Sequence, residues 1–368
     1  MKNQNPSSDQ PPFAIGTGLL ALDDVRIDGD ERPPRRWAGG TCGNVLLALR
    51  YLGWQTAPVA RLRPGTAADR ILDDLRTWGA STEFISLEAD GSTPVIVHRI
   101  RRSPSGEPYH TFSWRCPTCG RRLPGYRPVL ASTAREIASR LGSPQVFFFD
   151  RVSRGALLLA GEASARGAAV VFEPSFVGHP GLFREAWEVS DVVKFSHERL
   201  QDLPRECESI GGTRLVIETL GREGLRYRSD LPGSATRGWR RSEAFTAEDI
   251  KDTAGAGDWC TAGIIHTLLA GGATALSRAT GPQLREAIRY GQALAAWTCS
   301  FEGARGGMYC VERSAFELQV GRILEGGGEG DGLPEPSPTT PRAPEPCLCP
   351  ECEKAETPRA RRNITAGT

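Results

Sequence analysis

The chain has 368 residues, 39% hydrophobic and 24% charged, with a formal net charge of +1. That length can bury one large core or two ordinary ones, and the composition is globular rather than disordered or fibrous. The small charge supplies no general attraction to nucleic acid or an anionic membrane, and no apolar run approaches a membrane span. The polar, proline-rich start "MKNQNPSSDQPP" is unlike a signal peptide, so the expected location is cytoplasmic, with no nucleic acid and no membrane as partner.

Residues 1–12 are expected to be disordered. "FAIGTGLLAL" alternates like a strand and is followed by a polar segment, "DDVRIDGDERPPRRW". "NVLLALRYLG" places Val45, Leu46, Leu49 and Leu52 at helical spacing, with Gly53 as the stop. "QTAPVARL" reads as a strand and "GTAADRILDDLRTWGA" as an amphipathic helix. The runs "TPVIVHRIRR" and "EPYHTFSW", joined by "SPSG", read as a β-hairpin, and "RCPTCGRRLPGY" leaves little room for regular structure.

Beyond it strands and helices alternate. "QVFFFD", "AVVFEP", "DVVKFS" and "TRLVIETLG" are strands, and "SRGALLLAGEASARGA", "LFREAWEVS" and "HERLQDLP" are helices. Short apolar strands spaced by helices require crossover connections, hence a mostly parallel sheet covered on both faces. "TAGIIHTLLA", "GPQLREAIRYGQALAAWTCS" and "SAFELQVGRILEG" add three helices. From about residue 325, "GGGEGDGLPEPSPTTPRAPEP" is too rich in Gly and Pro to build a core.

The chemistry concentrates in "DTAGAGDWC", residues 252–260. A glycine turn feeding a helix exposes unpaired backbone N–H groups at the positive end of the helix dipole, which is an anion site. A carboxylate there is a poor phosphate ligand. Beside a transferring phosphoryl group, its natural task is to take a proton from the attacking hydroxyl.

"DTAGAGD" resembles the DTxGAGD signature of the ribokinase-like PfkB family of carbohydrate and nucleoside kinases. "GGTCGNVLLALRYLG" resembles that family's first motif, "VIETLGREG" its T-x-G-x-x-G turn, and "GQALAAWTCSFEGA" the helix and loop bordering the adenine. The order of the four agrees, and the resemblance spans residues 13–322. It implies a three-layer α/β/α sandwich with a small β-rich lid, formed from about 23–38 and 92–130, followed by a tail over 323–368. It also implies an ATP- and Mg2+-dependent kinase acting on a hydroxyl of a sugar or sugar derivative. A nucleoside kinase, or a kinase-like scaffold that binds a partner through its insert, are the alternatives.

Carried over by position, the resemblance makes Asp258 the catalytic base and Ala254, Gly255, Ala256 and Gly257 the backbone anion hole. Asp252 would hold the turn and, in members activated by potassium, a K+ ion. Thr219, Gly221, Gly224 and Gly303 would lie on the ATP side, and Asp23, Gly39, Gly40 and Asn44 would line the acceptor pocket. Lids pair into homodimers in some relatives. Two stretches depart from the family pattern. Arg199 stands where the glutamate of an N-x-x-E motif is expected, with Glu198 one position early, and "EPSF" places Glu173 and Ser175 after a middle strand.

Five of the ten cysteines sit in tight groups, Cys116 and Cys119 in "CPTCG", and Cys347, Cys349 and Cys352 in "CLCPEC". In a reducing compartment such spacing suggests structural Zn2+, the first pair being completed by two of the last three or, more weakly, by His110. Free thiols, a redox pair and a zinc site shared between chains are the alternatives. Arg99, Arg101, Arg102, Arg115, Arg121 and Arg122 near the hairpin suggest either a clamp for an anionic acceptor or a solvated sheet edge. His98, His179, His197 and His266 read as packing or surface residues.

Overall fold

The computed structural model describes residues 10–200, 213–236, 238–247, 249–326 and 348–352. The large sheet has nine strands in the order β13-β12-β11-β10-β9-β8-β1-β4-β5. In chain order these are β1 (Phe13–Thr17), β4 (Gln55–Leu62), β5 (Ile85–Leu87), β8 (Val146–Phe149), β9 (Ala169–Phe172), β10 (Val192–Ser196), β11 (Leu215–Thr219), β12 (Leu225–Ser229) and β13 (Arg240–Ser242). From β5 to β11 the pairings are parallel, and β12 and β13 close the edge antiparallel.

Side-chain alternation makes the sheet the middle of three layers. Phe147 and Phe149 point into one core, with Leu159, Phe183 and Trp187 of the helices Arg154–Ala165 and Pro180–Glu188. Phe148, between them, points into the other, with Val45, Leu46, Trp259 and Leu294. All three phenylalanines are fully buried, each a contribution of about 1.5–3 kcal/mol from apolar area removed from water. The second core belongs to α1 (Gly40–Tyr51), α6 (Ala256–Leu268) and α8 (Gly281–Thr298). The remaining helices are α2 (Thr66–Thr77), α3 (Ala131–Ala138), α4 and α5 (the two named above), α7 (Gly272–Ser277), α9 (Gly306–Cys310) and α10 (Arg313–Glu325). None of the described helices is long and apolar enough to cross a membrane.

A smaller four-stranded sheet, ordered β3-β2-β6-β7, forms the expected lid. It consists of β2 (Ala21–Ile27), β3 (Arg35–Gly39), β6 (Val95–Arg102) and β7 (Pro108–Ser113), the last two being the predicted hairpin. The predicted strand at 13–22 divides at Gly18, and its second half runs on through the polar "DDVRI". Paired charge explains the strand there. Asp24, buried, meets Arg26 at 2.8 Å and Arg36 of the neighbouring strand at 2.9 Å. Strands β3, β5, β12 and β13 and helices α3, α7 and α9, all short or polar, were not apparent in the sequence. The helix expected over 197–204 is a turn at 197–199, and 201–204 lie outside the described residues. So do residues 1–9 and Cys347, while Leu348 and Cys349 of the expected tail are buried.

Candidate active site

The expected glycine turn stands at the head of α6. Gly255 caps the helix with φ +79°, and a Cβ there would lie 2.6–2.7 Å from Ala304. Only glycine combines that left-handed backbone with that close approach. The amide of Ala254 donates to Asp252 Oδ1 (3.0 Å) and that of Ala256 to the Thr253 carbonyl (3.3 Å). Among the described residues, the helix-start amides of Gly255, Gly257 and Asp258 have no backbone partner outside the helix.

Asp258, in the first turn of α6, accepts a hydrogen bond from Asn44 Nδ2 at 2.7 Å, across 214 positions of sequence. Asn44 sits on α1 and is buried, and its Oδ1 has no hydrogen-bond partner among the described residues. Burial raises the Asp258 carboxyl to about 7, and the neighbouring Glu173 charge adds to the rise. The Asn44 hydrogen bond and the charges of Arg199 and Lys194 oppose it.

Glu173 leaves the carboxyl end of β9, and Lys194 projects from β10. They pair at 2.7 Å, and Lys194 Nζ also donates to the Gly257 carbonyl at 3.1 Å. The Thr261 hydroxyl, one turn into α6, lies within hydrogen-bond reach of both Glu173 (2.5 Å) and that same carbonyl (3.0 Å). Burial works against the Lys194 charge, but the Glu173 carboxylate, together with Cys260 and Asp258, raises its pKa overall. This pair ties the start of α6 to the sheet. No motif pointed to Lys194; its one signal was a lysine inside an apolar strand.

Gly39, paired with Ala21 on the β2–β3 ladder, lies against the Asp23 side chain, two residues along. A Cβ on Gly39 would fall 2.0 Å from an Asp23 carboxylate oxygen, which fixes glycine there. Burial lifts Asp23 to about 6, against the charges of His98 and Arg305 and a hydrogen bond from the Gly40 amide. Its neighbours Asp24 and Asp28 are engaged elsewhere, Asp28 with Arg101 (2.9 Å) and Arg99 (3.4 Å). Asp23, Gly39, Gly40 and Asn44 thus share one region at the start of α1.

The lid reaches the turn through Asp252. His98 of β6 lies 3.0 Å from Oδ2 and His110 of β7 lies 3.0 Å from Oδ1. The Gly303 amide also donates to Oδ2, at 2.9 Å. Burial would raise this carboxyl, but the adjacent His110 and His98 imidazoles and the hydrogen bond from the Ala254 amide hold it well below the usual carboxylate range. His98 is therefore more than packing, and His110 stands on Asp252 rather than beside the cysteines.

On the opposite side Thr219 ends β11, and a single 3-10 turn over Gly221–Glu223 leads to Gly224. Glu198 approaches this turn: its Oε1 is 3.9 Å from where a Cβ on Gly221 would stand. Gly303, expected on the ATP side, packs against Trp37 and Val25 of the lid strands. The lid arginines are spent locally. Arg102 donates to the Gly106 carbonyl, Arg115 to that of Gly120, and Arg121 pairs with Glu351.

Residues 149–308 match the family described as pfkB family carbohydrate kinase. The chain is 23% identical over 314 residues to ketohexokinase of Mus musculus, covering 78% of this chain and 96% of the relative. It is 26% identical over 312 residues to probable fructokinase-4 of Arabidopsis thaliana, covering 78% and 87%. Its fold resembles that of a fructokinase with bound ATP from Xylella fastidiosa, with a TM-score of 0.63 at 18% identity, over 85% of this chain and 98% of the other.

Proposed function

From membership in the ribokinase-like PfkB family of carbohydrate and nucleoside kinases, the assignment made by fold and family match, we propose how this chain performs phosphoryl transfer. The general activity is ATP-dependent transfer to a small sugar or nucleoside substrate. Asp258 takes the proton of the acceptor hydroxyl as that oxygen attacks phosphorus. The open amides of Gly255, Gly257 and Asp258 stabilise negative charge on the group in transit.

The observation that carries this reading is the Asn44–Asp258 contact. It joins the expected acceptor pocket to the expected base, and it leaves Asn44 Oδ1 buried and unsatisfied, ready to accept from an acceptor hydroxyl. A carboxyl near 7 is also matched to a base working at neutral pH. Asp23 and the Gly40 amide would contact further hydroxyls, which favours a sugar or sugar derivative.

Thr219, Gly221 and Gly224 would hold the ATP phosphates, whose charge Mg2+ offsets when bound, and Glu198 is the carboxylate on that side. Each Asp252 oxygen already faces one imidazole and one amide, so we assign the bracing of the turn to His98 and His110 rather than to K+. Closure of the lid over the acceptor would exclude water.

Asp258→Asn is expected to lower turnover by roughly 10² to 10⁴ with ATP binding retained. The assay compares free sugars, sugar phosphates and nucleosides as acceptors. Unchanged turnover in the variant would refute the role of Asp258, and turnover with nucleosides alone would replace the sugar by a nucleoside.

A further inference from the structure

Phosphoryl transfer as proposed uses none of the cysteines, yet four of them meet. The sulfurs of Cys116, Cys119, Cys349 and Cys352 all lie within 4.8 Å of one another. Cys116 and Cys352 are 3.9 Å apart, and Cys119 and Cys349 are 3.7 Å apart. We propose that these four thiolates form a structural zinc site that clasps the C-terminal segment 348–352 to the loop leaving the lid.

The spacing carries the argument. A tetrahedral zinc with Zn–S bonds of about 2.3 Å has sulfur–sulfur edges of about 3.8 Å. A disulfide needs about 2.05 Å. The observed separations fit the first and are too long for the second. Thiols are weak hydrogen-bond partners, so four converging sulfurs gain little from one another without an ion.

The backbone is arranged accordingly. The Gly120 amide donates to the Cys116 carbonyl (2.9 Å) and the Cys116 amide to the Arg121 carbonyl (2.8 Å), with Gly120 at φ +70°. The loop closes on itself through a bridge between Arg115 and Arg122, so both sulfurs of the first pair face one point. In the second pair, the amides of Glu351 and Cys352 bond back to the Cys349 sulfur. Amides directed at sulfur are what a thiolate ligand requires.

Charge is consistent as well. Four thiolates around one divalent ion carry a net charge of about −2. Arg115, Arg121 and Arg122 flank the first pair in sequence, and Arg121 reaches across to Glu351 at 3.0 Å. Cys116 and Cys349 are buried, while Cys119 is exposed and leaves a route of entry. A closed set of four sulfur ligands keeps no position for substrate, so the ion is structural. Its binding energy would order a loop and a segment with little regular structure of their own.

The test uses the full chain and two readouts independent of kinase activity: metal content and limited proteolysis. Protein purified under reducing conditions should carry about one zinc per chain, and Cys349→Ser combined with Cys352→Ser should lower this at least about tenfold. Those substitutions lie in the tail segment, so the kinase core remains available for comparison. Chelation of the wild-type protein should expose residues 114–123 and 348–352 to protease together. One zinc retained in the double variant would overturn the ligand set. Iron in place of zinc would overturn the metal, and metal-free protein with Cys116–Cys352 and Cys119–Cys349 disulfides would overturn the site. A kinase that proves inactive while holding one zinc leaves this inference standing.

Discussion

The proposed anion-hole turn and the proposed cysteine clasp are built in opposite ways. The turn comes from seven consecutive residues, Asp252 to Asp258, whose backbone creates the site wherever the helix begins. The clasp comes from two short segments about 230 positions apart, and neither half contains a complete site. A local device depends on backbone conformation and on braces beneath it. A long-range device depends on the chain returning to one place, which a bound ion can enforce. Damage to the turn should therefore act on chemistry at once, and damage to the clasp on order first.

The brace offers the sharpest way to break that contrast. Asp252→Ala would strand two histidines and two amides around a fully buried position. A stability loss of about 3–5 kcal/mol is expected, measured by denaturant midpoint, because a buried pair is broken from one side. A loss under about 1 kcal/mol would show that the lid and the turn are not coupled through it. The sign of its pH dependence follows from its depressed carboxyl. The stabilisation is present above the ordinary carboxylate range and is lost as pH falls through the lower folded-state value.

A smaller loss is expected from Gly255→Ala. The substitution combines a left-handed φ with a close contact at Ala304, and should cost about 1–3 kcal/mol while reducing turnover more than ATP affinity. Equal losses in both would place the damage in nucleotide binding instead. Glu173→Gln is subtler. It removes a like charge from beside Asp258 and frees the Lys194 charge, so both effects lower the Asp258 carboxyl. The acid limb of the rate profile should move to lower pH. A limb that moves upward would contradict the electrostatic account. The smallest expected effect is none: replacing potassium by sodium should leave turnover unchanged, and a strong potassium requirement would return the cation to Asp252.

The legible parts of the fold were those with local causes. Apolar strands such as Val146–Phe149 and amphipathic helices such as Thr66–Thr77 announce themselves by periodicity. Strand β2 did not, because its charged half is stable only once Arg36 from the next strand neutralises Asp24. The same division runs through the site. "DTAGAGD" and the glycines near Asn44 could be recognised in sequence, each with its backbone reason. Lys194 under the Gly257 carbonyl and His98 and His110 against Asp252 could not, since each acts through a partner far away in the chain. For the cysteines, spacing suggested a metal, and among the described residues the fold brings Cys349 and Cys352 to the first pair.

The pH dependence of kcat/KM for phosphoryl transfer tests the central claim most directly. A base raised to about 7 predicts a rate that climbs with pH through that value and then levels, as Asp258 loses its proton in the folded enzyme. In Asp258→Asn that limb should vanish along with most of the rate. A wild-type profile flat between about pH 5 and 9, or a limb that survives in the variant, would contradict the role given to Asp258.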